Sequence, residues 1–231
     1  MWKGKGVFTI TDQGDALAVS QQRGLWPVVN TEMLRHEEYP RSYADLLGPK
    51  WKGHVVMHDP TVPGGGAVLF ALVRKELGLE FWEKMKGQDM AVIRDYSEAS
   101  RRVAICEATI ALGLNPSHYM SFLAAGAPIK PVPMAEGAYV TSIPWYLINH
   151  APHPNAGKVL INWMLTKEGQ GMISRYVGDE PIRTDVPFTF PPQVAPAVQA
   201  TTKWLVDSYP VKEELEKQVS EGVARKTLGL K

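Results

Sequence analysis

The sequence predicts an α/β fold in which a parallel or mixed sheet is flanked by helices. Short apolar, β-branched runs alternate with helical stretches of about ten residues, an order typical of parallel βαβ units. Glycine and proline separate these segments, and they are spread along the chain rather than gathered in a linker. Hydrophobic residues make up 45% of the 231 residues and charged residues 21%, so the chain can form a sizeable core.

The clearest strand–turn–helix unit lies in residues 42–78. Ser42 is expected to cap a short helix, His54–Met57 to form an apolar strand, and Ala67–Leu77 to form a largely buried helix. The turn Gly64–Gly66 joins that strand to that helix. Ligands of α/β folds usually bind at such junctions, where parallel strands end.

Two further units repeat this order. Met90–Ile93 and Thr109–Leu112 are predicted strands, followed by the predicted helices Glu98–Cys106 and Pro116–Ala125. Ser97 is the expected N-cap of the first of these helices, and Cys106 is expected to face inward from it.

The two ends of the chain show weaker patterns. Short strands are expected within residues 1–30, and Lys130–Pro133 and Tyr139–Asn149 should be extended. From Asn155 an apolar stripe that includes Trp163 predicts a helix, and Val211, Leu215 and Val219 predict a C-terminal amphipathic helix.

Composition excludes several classes of protein. The formal net charge is +1, so no basic excess points to nucleic acid or an anionic membrane. A single cysteine excludes an internal disulfide and a cysteine-rich metal site. No apolar run of 18 residues predicts a transmembrane helix. The first residues lack signal-peptide features, which suggests a cytosolic protein or one whose leader has been removed.

Several segments taken together resemble bacterial extracellular solute-binding proteins, in the group that includes ferric-iron binders. These segments are GLWPVVNTEML, YADLLGPKWKGHVVMHDPTVPGGG, EATIALGLNPSHYM, HAPHPNAGKVLINWMLTKEGQ and PIRTDV. The resemblance covers most of residues 24–190. It implies a two-lobed periplasmic-binding-protein fold of type II that closes on a solute and delivers it to the permease of an ABC importer.

The resemblance also implies a division of the chain. Residues 1–30 would be a remnant of the first lobe with a hinge strand, 31–146 the second lobe, 147–200 a helical return to the first lobe, and 201–231 a C-terminal helix on the second. The family normally has a long segment ahead of the hinge strand, so the first lobe is expected to be truncated. The helix containing Trp163 should then expose apolar surface, which a homo-oligomer could cover.

Two strand-to-helix turns are candidate anion sites. Thr61 and Gly64, Gly65 and Gly66 could turn backbone amides toward a ligand at a helix N-terminus. The alternative is a tight connection without a ligand, and the run is neither a P-loop nor GxGxxG. At the second turn, Tyr96 and Ser97 could offer a hydroxyl and backbone amides, or Ser97 could simply cap its helix.

The later candidates follow from the resemblance. The loop of Asn115, His118 and Tyr119 matches one that carries adjacent tyrosines in ferric-iron members, so Tyr119 with His118 could bind Fe³⁺. Glu136 could receive an ammonium group or a metal, and Tyr139 could stack on the solute. A small organic anion competes with iron as the expected solute; beyond iron as a possible ligand, no cofactor is expected.

No enzyme motif is apparent. GxSxG and HExxH are absent, and His54 and His58 would lie about 13 Å apart along a strand, too far to share a metal. The sequence therefore predicts a non-catalytic binding protein located in the periplasm or outside the cell. An α/β enzyme holding a phosphate at the glycine turn and a ligand-free structural module remain the alternatives of other classes.

Overall fold

The protein has two β-sheets with helices packed around them. The computed structural model describes residues 17–188, 203–206 and 222–230. The described strands are Leu17–Gly24 (β1), Val28–Asn30 (β2), Val55–His58 (β3), Ala91–Ile93 (β4), Ile110–Leu112 (β5), Ile129–Pro131 (β6), Ala138–Trp145 (β7), Glu180–Pro181 (β8) and Trp204–Val206 (β9).

The described α-helices lie mostly between the strands of the larger sheet. They are Gly65–Leu77 (α1), Leu79–Met85 (α2), Tyr96–Ala104 (α3), Pro116–Ala124 (α4), Pro154–Met164 (α5), Lys167–Met172 (α6) and Val223–Leu228 (α7). Short 3₁₀ turns occupy His36–Glu38, Tyr43–Leu47, Pro49–Trp51 and Lys86–Gln88, and a π-helical turn extends α6 over Ile173–Val177.

The larger sheet is mixed and has the strand order β4-β3-β5-β2-β6. Strand β3 runs parallel to β4 and β5, whereas β2 runs antiparallel to β5 and β6. The predicted α/β class with a mixed sheet is confirmed. Because β3, β4 and β5 are parallel, their carboxyl ends meet at one edge of the sheet.

Helices cover both faces of this sheet, and the strands alternate between two cores. Val55 and Met57 of β3 pack in the core formed with α1 and α2, while Val56 packs in the core formed with α3 and α4. Strand β5 repeats the pattern, with Ile110 in the first core and Ala111 in the second. This alternation follows from the two-residue period of a strand that is buried on both faces.

The smaller sheet has the order β8-β1-β7-β9. Strand β1 pairs antiparallel with β7, from Leu17 opposite Trp145 to Gly24 opposite Tyr139. The chain crosses between the sheets at residues 25–27 and again at 132–137. Strand β7 therefore belongs to the smaller sheet. The chain thus leaves the larger sheet before Tyr146, the residue at which the second lobe was expected to end.

We call the larger sheet and the helices packed on it the larger unit. Most of its predicted elements match the observed ones to within two residues. Ser42 caps its turn, where its side chain accepts a hydrogen bond from the Ala44 amide. Two local predictions are wrong. Asp95, not Ser97, caps α3 by accepting the Glu98 amide, and Cys106 is exposed with a positive φ of 63° because α3 ends before it.

The chain ends are described only in part. Helix α7 packs on α2, and its Ala224 and Leu228 join the first core. The expected strands before residue 17 and the amphipathic stripe of Val211, Leu215 and Val219 lie outside the described residues. Within the described residues, no helix combines the length and hydropathy needed to cross a bilayer.

We call the smaller sheet together with α5 and α6 the smaller unit. Several of its large apolar side chains are exposed, among them those of Ile148, Val159, Leu160, Trp163 and Tyr176. Ile148 is 76% exposed, Val159 68% and Tyr176 69%, and of the α5 residues only Met164 is buried. The exposure predicted for the helix containing Trp163 is confirmed. Apolar exposure on this scale is typical of a surface that contacts another molecule.

We expect the double variant I148S/V159S to bind markedly less of a hydrophobic fluorescent dye than the parent chain. The free energy of unfolding should change by less than about 1 kcal/mol, because both side chains are largely solvated in the folded state. Dye titration and urea denaturation measure the two effects. The control is I105S, since Ile105 is a 51% exposed residue of the larger unit; an equal loss of dye binding there would contradict the assignment.

Candidate functional site

Three strand-to-helix junctions lie together at the carboxyl edge of the larger sheet, and we call this region the junction edge. They connect β3 to α1, β4 to α3 and β5 to α4. His58 ends β3, Arg94 follows β4, and Asn115 is the N-cap of α4. The structure therefore brings together the glycine turn, Tyr96 and the segment that carries His118.

The amides of the glycine turn are already hydrogen-bonded within the protein. The Gly65 amide donates to Tyr96 Oη at 2.9 Å, and the Gly66 amide donates to His58 Nδ1 at 3.2 Å. The prediction that these two amides face an anion is therefore wrong for this arrangement. Two side chains of the junction edge occupy the position that an anion would take.

Close packing explains why this turn consists of glycines. A Cβ on Gly65 would collide with the Gly113 carbonyl, and one on Gly66 would collide with the His58 carbonyl. Gly64 has a φ of 144° and faces the Tyr96 hydroxyl, a conformation that residues with a side chain rarely adopt. The first turn of α1 thus lies directly on the backbone at the ends of β3 and β5.

Three aromatic rings form a continuous stack across the edge. The ring of Tyr96 lies between His58 and His118, with centroid distances of 3.8 Å and 3.7 Å and interplanar angles of 5° and 17°. His118 Nδ1 accepts the Asn115 amide at 3.1 Å. The stack therefore connects the N-terminal turns of α1, α3 and α4.

Burial disfavours the charged form of both imidazoles in the stack. Desolvation, together with repulsion from His58, lowers the pKa of His118 to about 4. Desolvation also lowers the pKa of His58, although the nearby Asp59 carboxylate opposes this shift. Neutral rings can each accept a hydrogen bond through Nδ1, as both do here.

Asp59 organises the polar part of the junction edge. Its Oδ1 accepts hydrogen bonds from the Thr61 amide at 2.8 Å and hydroxyl at 2.6 Å, and its Oδ2 accepts Arg94 Nε at 3.0 Å. Burial alone would raise the pKa of this carboxyl, but these hydrogen bonds from Thr61 and Arg94 lower it. The Arg94 side chain is 70% exposed. Ser97, also exposed, lies in the first turn of α3, close to Arg94 in the sequence.

One hydrogen bond joins the junction edge to the smaller unit. Asn115 Nδ2 donates to Gln22 Oε1 of β1 at 2.9 Å. Near Gln22, the Ser20 hydroxyl donates to Asp179 Oδ2 at 2.9 Å. Burial raises the pKa of the Asp179 carboxyl, against the effect of hydrogen bonds from Ser20 and Gln22. Gln22 thus connects the polar cluster of Ser20 and Asp179 to the junction edge.

Three residues predicted to contact the ligand have other roles. Tyr119 is fully buried among apolar side chains of the second core, and burial raises the pKa of its phenol well above the usual range. Glu136 accepts the Ser42 hydroxyl at 2.5 Å and the Tyr43 amide at 3.2 Å, so it anchors a helical turn. Tyr139 is 4% exposed in the first core. These three predictions are wrong.

The described residues do not assemble the predicted iron ligands. Tyr119 cannot reach the edge from the core, which leaves His118 as the remaining member of that pair. In the described part of the chain, no group of three or more His, Cys, Asp or Glu side chains could hold a metal ion.

Sequence reasoning missed the parts of the site contributed by Asp59, Arg94 and Gln22. Asp59 and Arg94 each follow a predicted strand, and this position could have identified them as residues of the edge. Gln22 carries no such signal, because its contact with Asn115 depends on how the two units meet.

A family comparison agrees with this architecture. Residues 8–209 match the model of a bacterial extracellular solute-binding protein family. The chain belongs to this family. A further relative is an uncharacterized protein of Haemophilus influenzae, 28% identical over 149 residues. That match covers 62% of this chain and 43% of the relative, so the chain spans less than half of the curated protein that it matches.

Solved structures share the fold at low sequence identity. The substrate-binding protein of an ABC transporter from Agrobacterium tumefaciens has a TM-score of 0.78 and 14% identity, covering 99% of this chain and 72% of that one. Iron-bound HitA from Pseudomonas aeruginosa has a TM-score of 0.71 and 20% identity, and the match covers 96% of this chain and 72% of that one. AfuA from Actinobacillus pleuropneumoniae, with fructose-6-phosphate bound, has a TM-score of 0.67 and 21% identity. That match covers 92% of this chain and 73% of that one.

We expect G66A to lower the free energy of unfolding by about 1–3 kcal/mol, because the new methyl group must displace the His58 backbone. Urea denaturation measures the loss. The matched control is G87A, where a Cβ has no neighbour within 4 Å and the change should stay within about 0.5 kcal/mol. Equal effects of the two substitutions would contradict the close packing of α1.

We expect His118 to make stability depend on pH. Its folded-state pKa of about 4 lies below the ordinary value of 6.5, so the unfolded chain binds more protons between these values. The free energy of unfolding should therefore fall as pH decreases from 6.5 to 4. H118Q should flatten this slope, and H150Q, which changes an exposed residue, should retain it. Identical slopes in all three proteins would contradict the burial of His118.

Proposed function

We propose that the protein is a non-catalytic solute-binding component of an ABC importer and that it binds a small organic anion at the junction edge. Family membership supports solute binding, and the structural relatives include proteins described with iron and with a sugar phosphate. Because relatives of one fold bind such different ligands, the choice of an anion depends on this chain's own side chains.

Arg94 is the residue that carries the proposal. Its Nε is fixed by Asp59 at 3.0 Å, while the side chain as a whole is 70% exposed. This bond uses Nε and neither of the two terminal amino groups of the guanidinium. A guanidinium held in this way suits a carboxylate or phosphate, which it can bind through two parallel hydrogen bonds.

Neighbouring groups complete an anion site around Arg94. Thr61 shares the Asp59 carboxylate with Arg94, so both residues are held at one point of the edge. Ser97 supplies an exposed hydroxyl in the first turn of α3, where the helix dipole favours negative charge. The stacked rings of Tyr96 and His118 would form an apolar wall beside these polar groups, as is usual in small-molecule sites.

Two of the alternative functions, ferric-iron binding and catalysis, have less support. Ferric iron would need hard anionic ligands, and the buried Tyr119 does not provide one. An enzyme would need a base within reach of the bound solute, and Nδ1 of both His58 and His118 accepts a backbone amide. Delivery to a permease and a periplasmic or extracellular location follow from the family and form part of the proposal.

Isothermal titration of the full chain against inorganic phosphate, fructose-6-phosphate, succinate and Fe³⁺ tests the proposal. We expect at least one organic anion to bind, and R94Q to weaken that binding by about 10- to 100-fold, because charged hydrogen bonds are each worth about 1.5–3 kcal/mol. S97A should have a smaller effect in the same direction, since it removes a neutral donor.

The matched control is R102Q, because Arg102 lies on α3, the helix that begins just after Arg94, and pairs with Glu98 at 2.9 Å. It should leave anion binding unchanged. Equal losses in R94Q and R102Q would point to nonspecific attraction. Binding of Fe³⁺ with a visible phenolate absorption band would favour the iron alternative, and no binding by any of the four probes would favour a ligand-free module.

A further inference from the structure

A cavity of about 480 Å³ lies outside the junction edge. Its apolar wall includes Trp26, Val132 and Met134, which are 1%, 2% and 7% exposed. Its polar rim includes Tyr39, Arg41 and Lys203. The volume is within the range of sites that bind small molecules, and none of the lining residues belongs to the junction edge.

The cavity is built on segments that connect the two sheets. Trp26 lies in the first crossing and Val132–Ala135 in the second. Backbone hydrogen bonds fix these segments, from the Val132 amide to the Pro27 carbonyl at 2.9 Å and from the Ala135 amide to the Arg41 carbonyl at 2.8 Å. The walls are therefore ordered backbone rather than a free loop.

The rim of the cavity is positively charged. Among the residues that the structure describes, no acidic residue lines the cavity, and none forms an ion pair with the Arg41 guanidinium. Lys203 Nζ pairs with Glu76 at 2.8 Å. The nearby acids are Asp45 and Glu136. Their carboxylates accept hydrogen bonds from the backbone amides of Arg41 and Tyr43, so they offset only part of the positive charge of the rim.

Aromatic groups at the mouth favour a flat ligand. His36 and Tyr39 are in edge-to-face contact at a centroid distance of 5.2 Å, and both line the cavity. An aromatic ring could contact this pair and the apolar wall, while its acid group reached Arg41. Since no described residue gives the Arg41 guanidinium a carboxylate partner, it is suited to bind such a group.

We propose that this cavity is a second binding site, specific for a small aromatic carboxylate and separate from the solute site at the junction edge. The ring occupies the apolar space next to Val132 and Met134, and the carboxylate binds Arg41. Because both crossings line the cavity, the bound molecule contacts the segments on which the relative position of the two sheets depends.

Fluorescence and calorimetric titration of the full chain with 2-naphthoate tests this site. We expect the parent chain to bind 2-naphthoate and R41Q to bind it at least about tenfold more weakly, since one charged hydrogen bond is lost. The neutral carboxamide of the same ring should bind the parent chain more weakly than the acid. M134W should abolish binding by filling the cavity, with circular dichroism confirming that the variant folds.

Two arginine variants serve as matched controls. R35Q changes an exposed arginine that precedes His36 and pairs with Glu37 and Glu38, and R102Q changes an arginine of α3 that pairs with Glu98; both should bind 2-naphthoate as the parent does. Unaltered binding in R41Q and folded M134W would overturn the proposal. So would an equal loss of binding in R102Q, or no binding to the parent chain at millimolar 2-naphthoate.

Discussion

The contact between the first turn of α1 and the backbone at the ends of β3 and β5 determines the geometry of the junction edge. Gly65 and Gly66 permit this contact because neither position has room for a Cβ. The approach brings the two amides onto Tyr96 and His58. Those side chains in turn fix the ring stack, and through His118 the stack reaches the N-terminus of α4. One close backbone contact therefore positions groups from three helices.

The strands and helices of the larger unit could be predicted because their signals are local. A run such as Val55–His58, bounded by turn residues and followed by an apolar helix, has few alternatives. Roles of single polar residues depend on what folds against them. Glu136 was predicted to contact the ligand, but its carboxylate instead accepts hydrogen bonds from the Ser42 hydroxyl and the Tyr43 amide. No pattern around residue 136 records that distant partner.

Tyr119 shows how helix geometry separates neighbours in sequence. Helix α4 begins at Pro116, so His118 and Tyr119 both lie in its first turns rather than in a loop. Successive residues of an α-helix point about 100° apart. When His118 stacks at the edge, Tyr119 is directed into the core. His118 and Tyr119 therefore cannot both face one ligand at the edge, whereas Arg94 and Asp59 lie there because each directly follows a strand.

The topology of the smaller sheet has a consequence for how the chain folds. Strand β1 pairs with β7, Gly24 lying opposite Tyr139, so this pairing joins segments roughly a hundred residues apart and carries a high loop-closure cost. All five strands of the larger sheet come from the chain between them. During synthesis β1 emerges before those strands and cannot pair with β7 until they have been made. The larger unit is therefore expected to fold early, and β1 is the segment most exposed to mispairing in the interval.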